Sequence, residues 1–333
     1  MNASQEMVPY TARRGGIPIA RMRSLYRIDE VGRKLDKLPP KEHESLRATY
    51  ERMLEKGPER LQVKPSGLPV MDHLYDELPN FHAVLDDVRR QLALCEDSRD
   101  ALELTPLLLL GPPGVGKTHF ARELSLLLGT GMGFVSMSSM TAGWLLSGAS
   151  SQWKGARPGK VFETLVDGPY ANPVMVIDEI DKAGGEHAYD PLGALYSLLE
   201  HDTAGHFTDE FAEVPVDASQ VIWVATANDG RAIPEPIMNR MNVYEVQAPD
   251  REAARNIAAR LYRAIRVAHD WGSRFEPEPG NEVLDCMSEM APREMRRAWM
   301  TGFGNAKLDH RDHVAPRDLP PGHGKRAPIG FVQ

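Results

Sequence analysis

Leu107-Leu-Leu-Leu-Gly-Pro-Pro-Gly-Val-Gly-Lys-Thr118 is the stretch that decides the fold. Four consecutive leucines, Leu107–Leu110, have the length and composition of a strand buried on both faces. The next eight residues, Gly111, Pro112, Pro113, Gly114, Val115, Gly116, Lys117 and Thr118, fit the pattern GxxxxGK[ST]. A helical pattern over Thr118–Leu128 follows. Strand, glycine-rich loop and helix is the context this pattern requires, and a chance glycine-rich turn would lack it. The glycines let the loop wrap so that backbone N–H groups point inward at phosphate oxygens, and the helix start adds a favourable dipole. Lys117 supplies the countercharge, and Thr118 offers a hydroxyl to a divalent cation. ATP and Mg²⁺ are the expected ligands.

Further along, Val174-Met-Val-Ile-Asp-Glu179 reads as a buried strand that ends on two carboxylates. Asp178 is expected to hold Mg²⁺ through its coordinated waters. Glu179 is expected to orient and polarise an attacking water. Strands often end in Asp or Glu, so the motif gains its meaning from lying downstream of the phosphate loop. A third buried run, Val221-Ile-Trp-Val-Ala-Thr-Ala-Asn228, ends on Asn228. Taken alone, Asn228 reads as a turn former. Its position after the acidic strand shifts that balance.

Working outward, short apolar strands at 107–110, 134–137, 174–177, 221–225 and 243–246 alternate with helical patterns. This predicts an α/β fold, a P-loop NTPase with a parallel sheet flanked by helices. After Pro249 the pattern turns helical over Arg251–Ala268 and Arg293–Phe303, which predicts a small all-α lid subdomain. The expected organisation is a basic N-terminal arm at 1–68 with one short helix within Lys41–Lys56, and an α/β nucleotide-binding domain at 69–248. A helical lid at 249–313 and a loose tail at 314–333 complete it.

The net charge is −8, from 47 acidic against 39 basic residues, yet the first 66 residues are basic. The basic arm reads as a solvated extension, with a docking segment for a partner or nucleic acid as the weaker alternative, and the acidic body argues against a general DNA-binding surface. Two distant cysteines, Cys95 and Cys286, fit reduced thiols in a cytoplasmic protein. With no long apolar run and no apolar leader region, neither a membrane span nor a secretory signal is expected.

The order of these motifs, continued by Ile233-Pro-Glu-Pro-Ile-Met-Asn-Arg-Met241, resembles the AAA+ superfamily and, more narrowly, the ATPase module of Lon proteases. Supporting stretches are Gly155-Ala-Arg-Pro-Gly-Lys160, Ile177-Asp-Glu-Ile-Asp-Lys182, Asp190-Pro-Leu-Gly-Ala-Leu-Tyr-Ser-Leu-Leu-Glu200 and Phe207-Thr-Asp-Glu-Phe-Ala-Glu-Val-Pro215. The resemblance covers residues 70–305. It implies that Asn228 is sensor 1 and that Arg240 is an arginine finger reaching a neighbouring subunit's γ-phosphate. Arg293, in Ala291-Pro-Arg-Glu-Met295, matches sensor 2. A finger acting in trans implies a homo-oligomeric ring, with a hexamer as the expected size. Trp153 and Lys154 fall where the family carries an aromatic pore loop that grips polypeptide. Tyr is usual there, and Trp keeps the large planar side chain.

The departure from the Lon pattern that matters most comes after Arg293, and the arm before Leu68 is also short for the usual large N-terminal substrate domain. About forty residues follow Arg293, with no serine among them, so no intrinsic Ser-Lys peptidase is expected. The reading is a Mg-dependent ATPase that unfolds or remodels protein substrates, alone or with a separate peptidase. Two alternatives stand beside it. One is a DNA-associated AAA+ ATPase such as a loader, supported only by the basic arm. The other is a non-hydrolysing nucleotide switch, against which the intact Glu179 and Arg240 argue.

Overall fold

The computed structural model describes residues 19–39, 43–138, 142–183 and 192–320. They fall into two compact units. The first contains residues up to Met71, Ala83–Leu110 and Thr118–Glu245; the second contains Asp72–His82, Gly111–Lys117 and the chain from Val246 onward. Of the sequence-derived organisation, 1–18, 40–42, 139–141, 184–191 and 321–333 lie outside the described residues, including Asp190 of the Lon-like stretch.

The first unit opens with two antiparallel strands, β1 (Ile19–Ser24) and β2 (Glu59–Lys64), in the register Ile19 with Lys64 and Ser24 with Glu59. Between them lie helices Ile28–Lys37 and Glu44–Lys56. Five parallel strands form the main sheet: β3 (Leu107–Leu110), β4 (Met132–Ser136), β5 (Val174–Asp178), β8 (Ile222–Ala227) and β9 (Asn242–Glu245). Their spatial order is β4-β5-β8-β3-β9. A two-stranded antiparallel pair, β6 (Phe207–Thr208) with β7 (Pro215–Val216), stands apart from that sheet. The three central strands are buried along almost their whole length, which is why they read as unbroken apolar runs. Edge strand β4 alternates exposed and buried positions, as expected with one face uncovered.

The arm differs from its sequence-derived expectation. It holds two helices and a strand pair, and it is fastened to the body. Leu25, Tyr26, Val31, Leu46, Tyr50 and Met53 join the same apolar cluster as Leu108, Ile177 and Trp223. Tyr50 donates its hydroxyl to the Ala212 carbonyl at 2.8 Å, and Asn172 donates to the Val63 carbonyl at 2.6 Å. The basic side chains conceal this arrangement. Arg60 is buried and donates to the carbonyls of Leu165, Gly57 and Val166. Lys64 donates its ammonium protons to the carbonyls of Cys95, Ser98 and Asp100 at 2.8, 2.9 and 2.8 Å. These cations satisfy backbone carbonyls that would otherwise be buried unpaired. In sequence they look like solvated charge.

In the second unit, helices Arg251–Ala268, Asn281–Met287 and Pro292–Leu308 pack around Tyr262, Trp299 and Phe303. Asp250 caps the first of them through the Ala253 N–H at 2.8 Å. Trp299 donates its indole N–H to the Ala258 carbonyl at 2.9 Å, so its burial leaves no donor unpaired. The expected loose tail is ordered at its start. Val314 is buried, and Asp318 pairs with Arg311 through two hydrogen bonds of 2.7 and 2.6 Å. Among the described residues, no helix is long and apolar enough to cross a membrane.

Candidate functional site

The glycine-rich loop belongs to the second unit, and contacts within that unit shape it. Gly111 lies against Val246 so closely that a Cβ would sit 2.1 Å from the Val246 carbonyl oxygen. Gly114 and Gly116 have φ of +84° and +107°, a region L side chains rarely enter. Leu78 and Phe81 floor the loop under Gly116, and Asn80 donates to the Val115 and Gln247 carbonyls at 3.2 and 2.9 Å. Asn80 has no signal in the sequence beyond its place ahead of a helix; only the folded chain brings it to the loop. Lys117 is 8% exposed and donates its ammonium to the carbonyls of Gly111 and Pro112 at 2.6 and 3.0 Å. Its charge is thereby held inside the loop.

Arg293 stands at the same loop. Its backbone N–H donates to the Gly114 carbonyl at 3.3 Å, and its Cβ lies 3.2 Å from where a Gly114 Cβ would be. Helix Pro292–Leu308 begins there, with Pro292 supplying the fixed first turn. The sequence-predicted partner of the phosphate loop is therefore brought to it by the backbone itself.

The first unit gathers the acidic residues. The peptide bond Lys117–Thr118 carries the chain from the loop into it. Thr118 Oγ1 donates to Asp178 Oδ1 at 3.1 Å. Parallel pairing of β5 with β8 sets Ile177 opposite Ala225, so the next residues, Asp178 and Thr226, are neighbours. Thr226 Oγ1 donates to Asp178 Oδ1 at 2.8 Å and accepts from the Glu179 N–H at 3.0 Å. Glu179 adopts a left-handed backbone with φ 55° and ψ 48°, strain of the kind found at working positions. Thr226 thus fixes both consecutive carboxylate residues. In the sequence it is one residue of the run Ala225-Thr-Ala-Asn228 with no role of its own; the register of adjacent parallel strands is the signal that finds it. Asn228 follows the last residue of β8 directly. Next along the chain, the Asp229 N–H donates to the nearly inaccessible Asp181 carboxylate at 3.3 Å.

Within the first unit, a hydroxyl and a carboxylate this close suit a divalent cation; within the second, a loop of glycine N–H groups and an ammonium suits phosphate oxygens. Thr118 is the donor type that binds the ion directly, and Asp178 the type that holds it directly or through water.

Arg240 is engaged within its own chain. It donates to Glu200 Oε1 at 2.6 Å and to the Pro236 carbonyl at 2.6 Å, and its guanidinium lies 5.9 Å from the Tyr196 ring centroid. Trp153 sits in a tight loop, its N–H donating to the Ser150 carbonyl at 3.0 Å, and it is 42% exposed. Lys154 beside it is exposed. The loop base is clamped by Asp209, which is wholly buried. Its carboxylate accepts from the Gly159 N–H at 2.7 Å and from the Phe211 and Ala212 N–H groups at 2.9 and 3.0 Å.

Burial pushes the Asp209 carboxyl up to about 6 from an ordinary 3.8, against the pull of those three N–H donors and with a further rise from nearby Glu210. The folded chain therefore holds this proton more tightly than the unfolded chain. The stability this contributes is full below about pH 4 and is lost as pH rises through about 6. Asp209→Asn has no such titration. By urea unfolding, the stability of the parent relative to this variant is expected to fall by about 2 kcal/mol between about pH 4 and about pH 7. A difference independent of pH would contradict the placement.

Residues 107–247 match the family described as "ATPase family associated with various cellular activities (AAA)". The chain is 34% identical over 179 residues to the mitochondrial Lon protease homolog of Schizosaccharomyces pombe, covering 53% of this chain and 17% of that protein. It is 33% identical over 226 residues to the mitochondrial Lon protease homolog of Ostreococcus lucimarinus, covering 65% of this chain and 23% of that one. The chain thus spans less than a quarter of the length of these curated relatives. Among solved structures, Hsp104 with ATPγS and FITC casein aligns with a TM-score of 0.53 and 16% identity over 86% of this chain and 54% of that one, a likeness of fold.

Proposed function

We propose that this chain, whose residues 107–247 match the AAA ATPase family and which is similar to Lon protease homologs over about half its length, hydrolyses ATP in a ring of identical copies and uses the turnover to pull on polypeptide at Trp153. The observation that carries the reading is the Thr118–Asp178–Thr226–Glu179 network, which sets a cation-binding hydroxyl, a carboxylate and a second, strained carboxylate residue in one frame.

In this reading the N–H groups of Gly114–Thr118, with Lys117, hold the β- and γ-phosphates. Thr118 and Asp178 hold Mg²⁺, which when bound neutralises charge on the phosphate oxygens. Glu179 accepts a hydrogen bond from the attacking water and takes its proton as the water's oxygen bonds to the γ-phosphorus, while the bond from that phosphorus to the β,γ-bridging oxygen breaks and its electron pair leaves with ADP. Asn228, from the end of β8, orients that water. Arg293 approaches the phosphates from the loop on which its backbone rests. Arg240 leaves Glu200 and reaches the γ-phosphate held by a neighbouring copy, so a lone chain has an incomplete site.

Removing the loop ammonium leaves the phosphate charge without its countercharge. Lys117→Ala should weaken ATP binding, measured by titration calorimetry, by a factor of ~100 or more. Unchanged affinity would remove the nucleotide from this loop. The remodelling role is tested by adding a second macromolecule to the ATPase assay. Unfolded casein should raise turnover and duplex DNA should not; the opposite result would favour a DNA-associated ATPase.

A further inference from the structure

Trp144 lies on the helix Ala142–Ser147, nine residues before Trp153, and nothing in the reading above uses it. The two indoles meet edge to face, with ring centroids 5.0 Å apart and planes at 74°. Each shields part of the other, yet 37% of Trp144 and 42% of Trp153 remain exposed. Elsewhere in the chain, Trp223 and Trp299 are 3% and 0% exposed, which is how a tryptophan kept for core packing looks. Two adjoining indoles left in solvent cost hydrophobic free energy and mark a surface that something covers.

The pair is also held still. The Gly148 N–H donates to the Trp144 carbonyl at 3.0 Å, and the Ala149 N–H to the Arg157 carbonyl at 3.2 Å. The Glu210 N–H donates to the Ser147 carbonyl at 2.7 Å. Asp209 binds the Gly159 N–H, and its carboxylate fills the space where a Gly148 Cβ would stand, 2.8 Å away. The loop that carries Trp153 is thus fastened at its base, beside the end of the helix that carries Trp144. From Ser147 to Gln152 the connecting residues, Ser147-Gly-Ala-Ser-Ser-Gln152, contribute only small or polar side chains. Such an arrangement binds without first having to be ordered.

We infer that Trp144 is a second polypeptide-binding residue, and that Trp144 and Trp153 form one two-ring clamp for apolar side chains of an extended chain. The inference rests on the reading that the Trp153 loop grips polypeptide. Two rings at a steep angle offer one face and one edge to the same side chain, which a lone aromatic cannot do. On the loop of Trp153, exposed Lys154 and Arg157 outnumber the one exposed carboxylate bonded to this segment, Glu210 against Ser147, and suit acidic residues in the gripped segment. The occupant this chemistry describes is an unfolded, acidic polypeptide with scattered apolar residues.

The test uses the full chain carrying Glu179→Gln, loaded with ATP and Mg²⁺, and FITC-labelled casein followed by fluorescence anisotropy. Adding Trp144→Ala should raise the Kd for casein ~10-fold, and Trp144→Phe should recover part of that loss. The partial recovery by Phe separates a binding role from misfolding. If Trp153→Ala abolishes binding while Trp144→Ala leaves the Kd within about twofold of the parent, the clamp is overturned and the grip by Trp153 stands. If sedimentation shows that Trp144→Ala breaks up the assembly, Trp144 is covered by a second copy of the chain, which also overturns the clamp. Failure of the Glu179→Gln parent to bind casein overturns the clamp and the reading beneath it.

Discussion

Glu179→Gln is expected to bind ATP as the parent chain does and to turn it over ~10²–10³-fold more slowly. The two side chains have the same shape, so the left-handed backbone at φ 55° and the N–H bond to Thr226 at 3.0 Å should survive the change. What is lost is a base able to take the proton of the attacking water. The loss corresponds to several kcal/mol of barrier, the scale of a preorganised polar group aimed at a transition state. A radioactive-phosphate release assay beside calorimetric ATP binding separates the two steps. Parent-like turnover would remove Glu179 from the chemistry.

Arg240→Ala is expected to leave nucleotide affinity intact and to lower turnover by ~10³ or more, the scale associated with an arginine supplied to a γ-phosphate by a neighbour. The bland alternative is that Arg240 only pairs with Glu200, to which it donates at 2.6 Å. Both side chains of that pair are partly solvated, so in that case the substitution should cost less than ~1 kcal/mol of stability and leave turnover alone. Thermal melting and turnover, read together, decide between them. A small change in melting with a large loss of turnover supports the finger, and unchanged turnover reduces Arg240 to a surface pair.

The fold is legible in the sequence wherever one physical rule dominates. Buried parallel strands must be apolar on both faces, so Leu107–Leu110, Val174–Ile177 and the run ending at Ala227 stand out by composition alone. The glycine-rich loop stands out because positive φ at Gly114 and Gly116 restricts the residue type. The arm misleads because its strands carry charge inward. Arg60 and Lys64 are buried against carbonyls, which breaks the link between charge and exposure on which pattern reading depends. Thr226 and Asn80 escape assignment because their partners lie far away in the chain. Asp178 is 48 residues from Thr226, and Gln247 is 167 from Asn80. Trp153 draws notice in the sequence through its place in the Lon-like pattern and Trp144 does not, since a lone tryptophan on a short helix has no pattern until a second ring is seen beside it.

The central claim is that one copy's phosphate loop is completed by another copy's Arg240, and mixing two inactive variants tests it most directly. Lys117→Ala keeps the finger and loses the loop, whereas Arg240→Ala keeps the loop and loses the finger. Each alone should be inactive. Mixed in equal amounts and allowed to exchange subunits, they form some junctions in which an intact loop faces an intact finger. Random mixing gives about a quarter of such junctions in a closed ring, so a comparable share of parental turnover is expected to return. A mixture as inactive as its components, under conditions where the parent assembles and turns over ATP, would contradict the account.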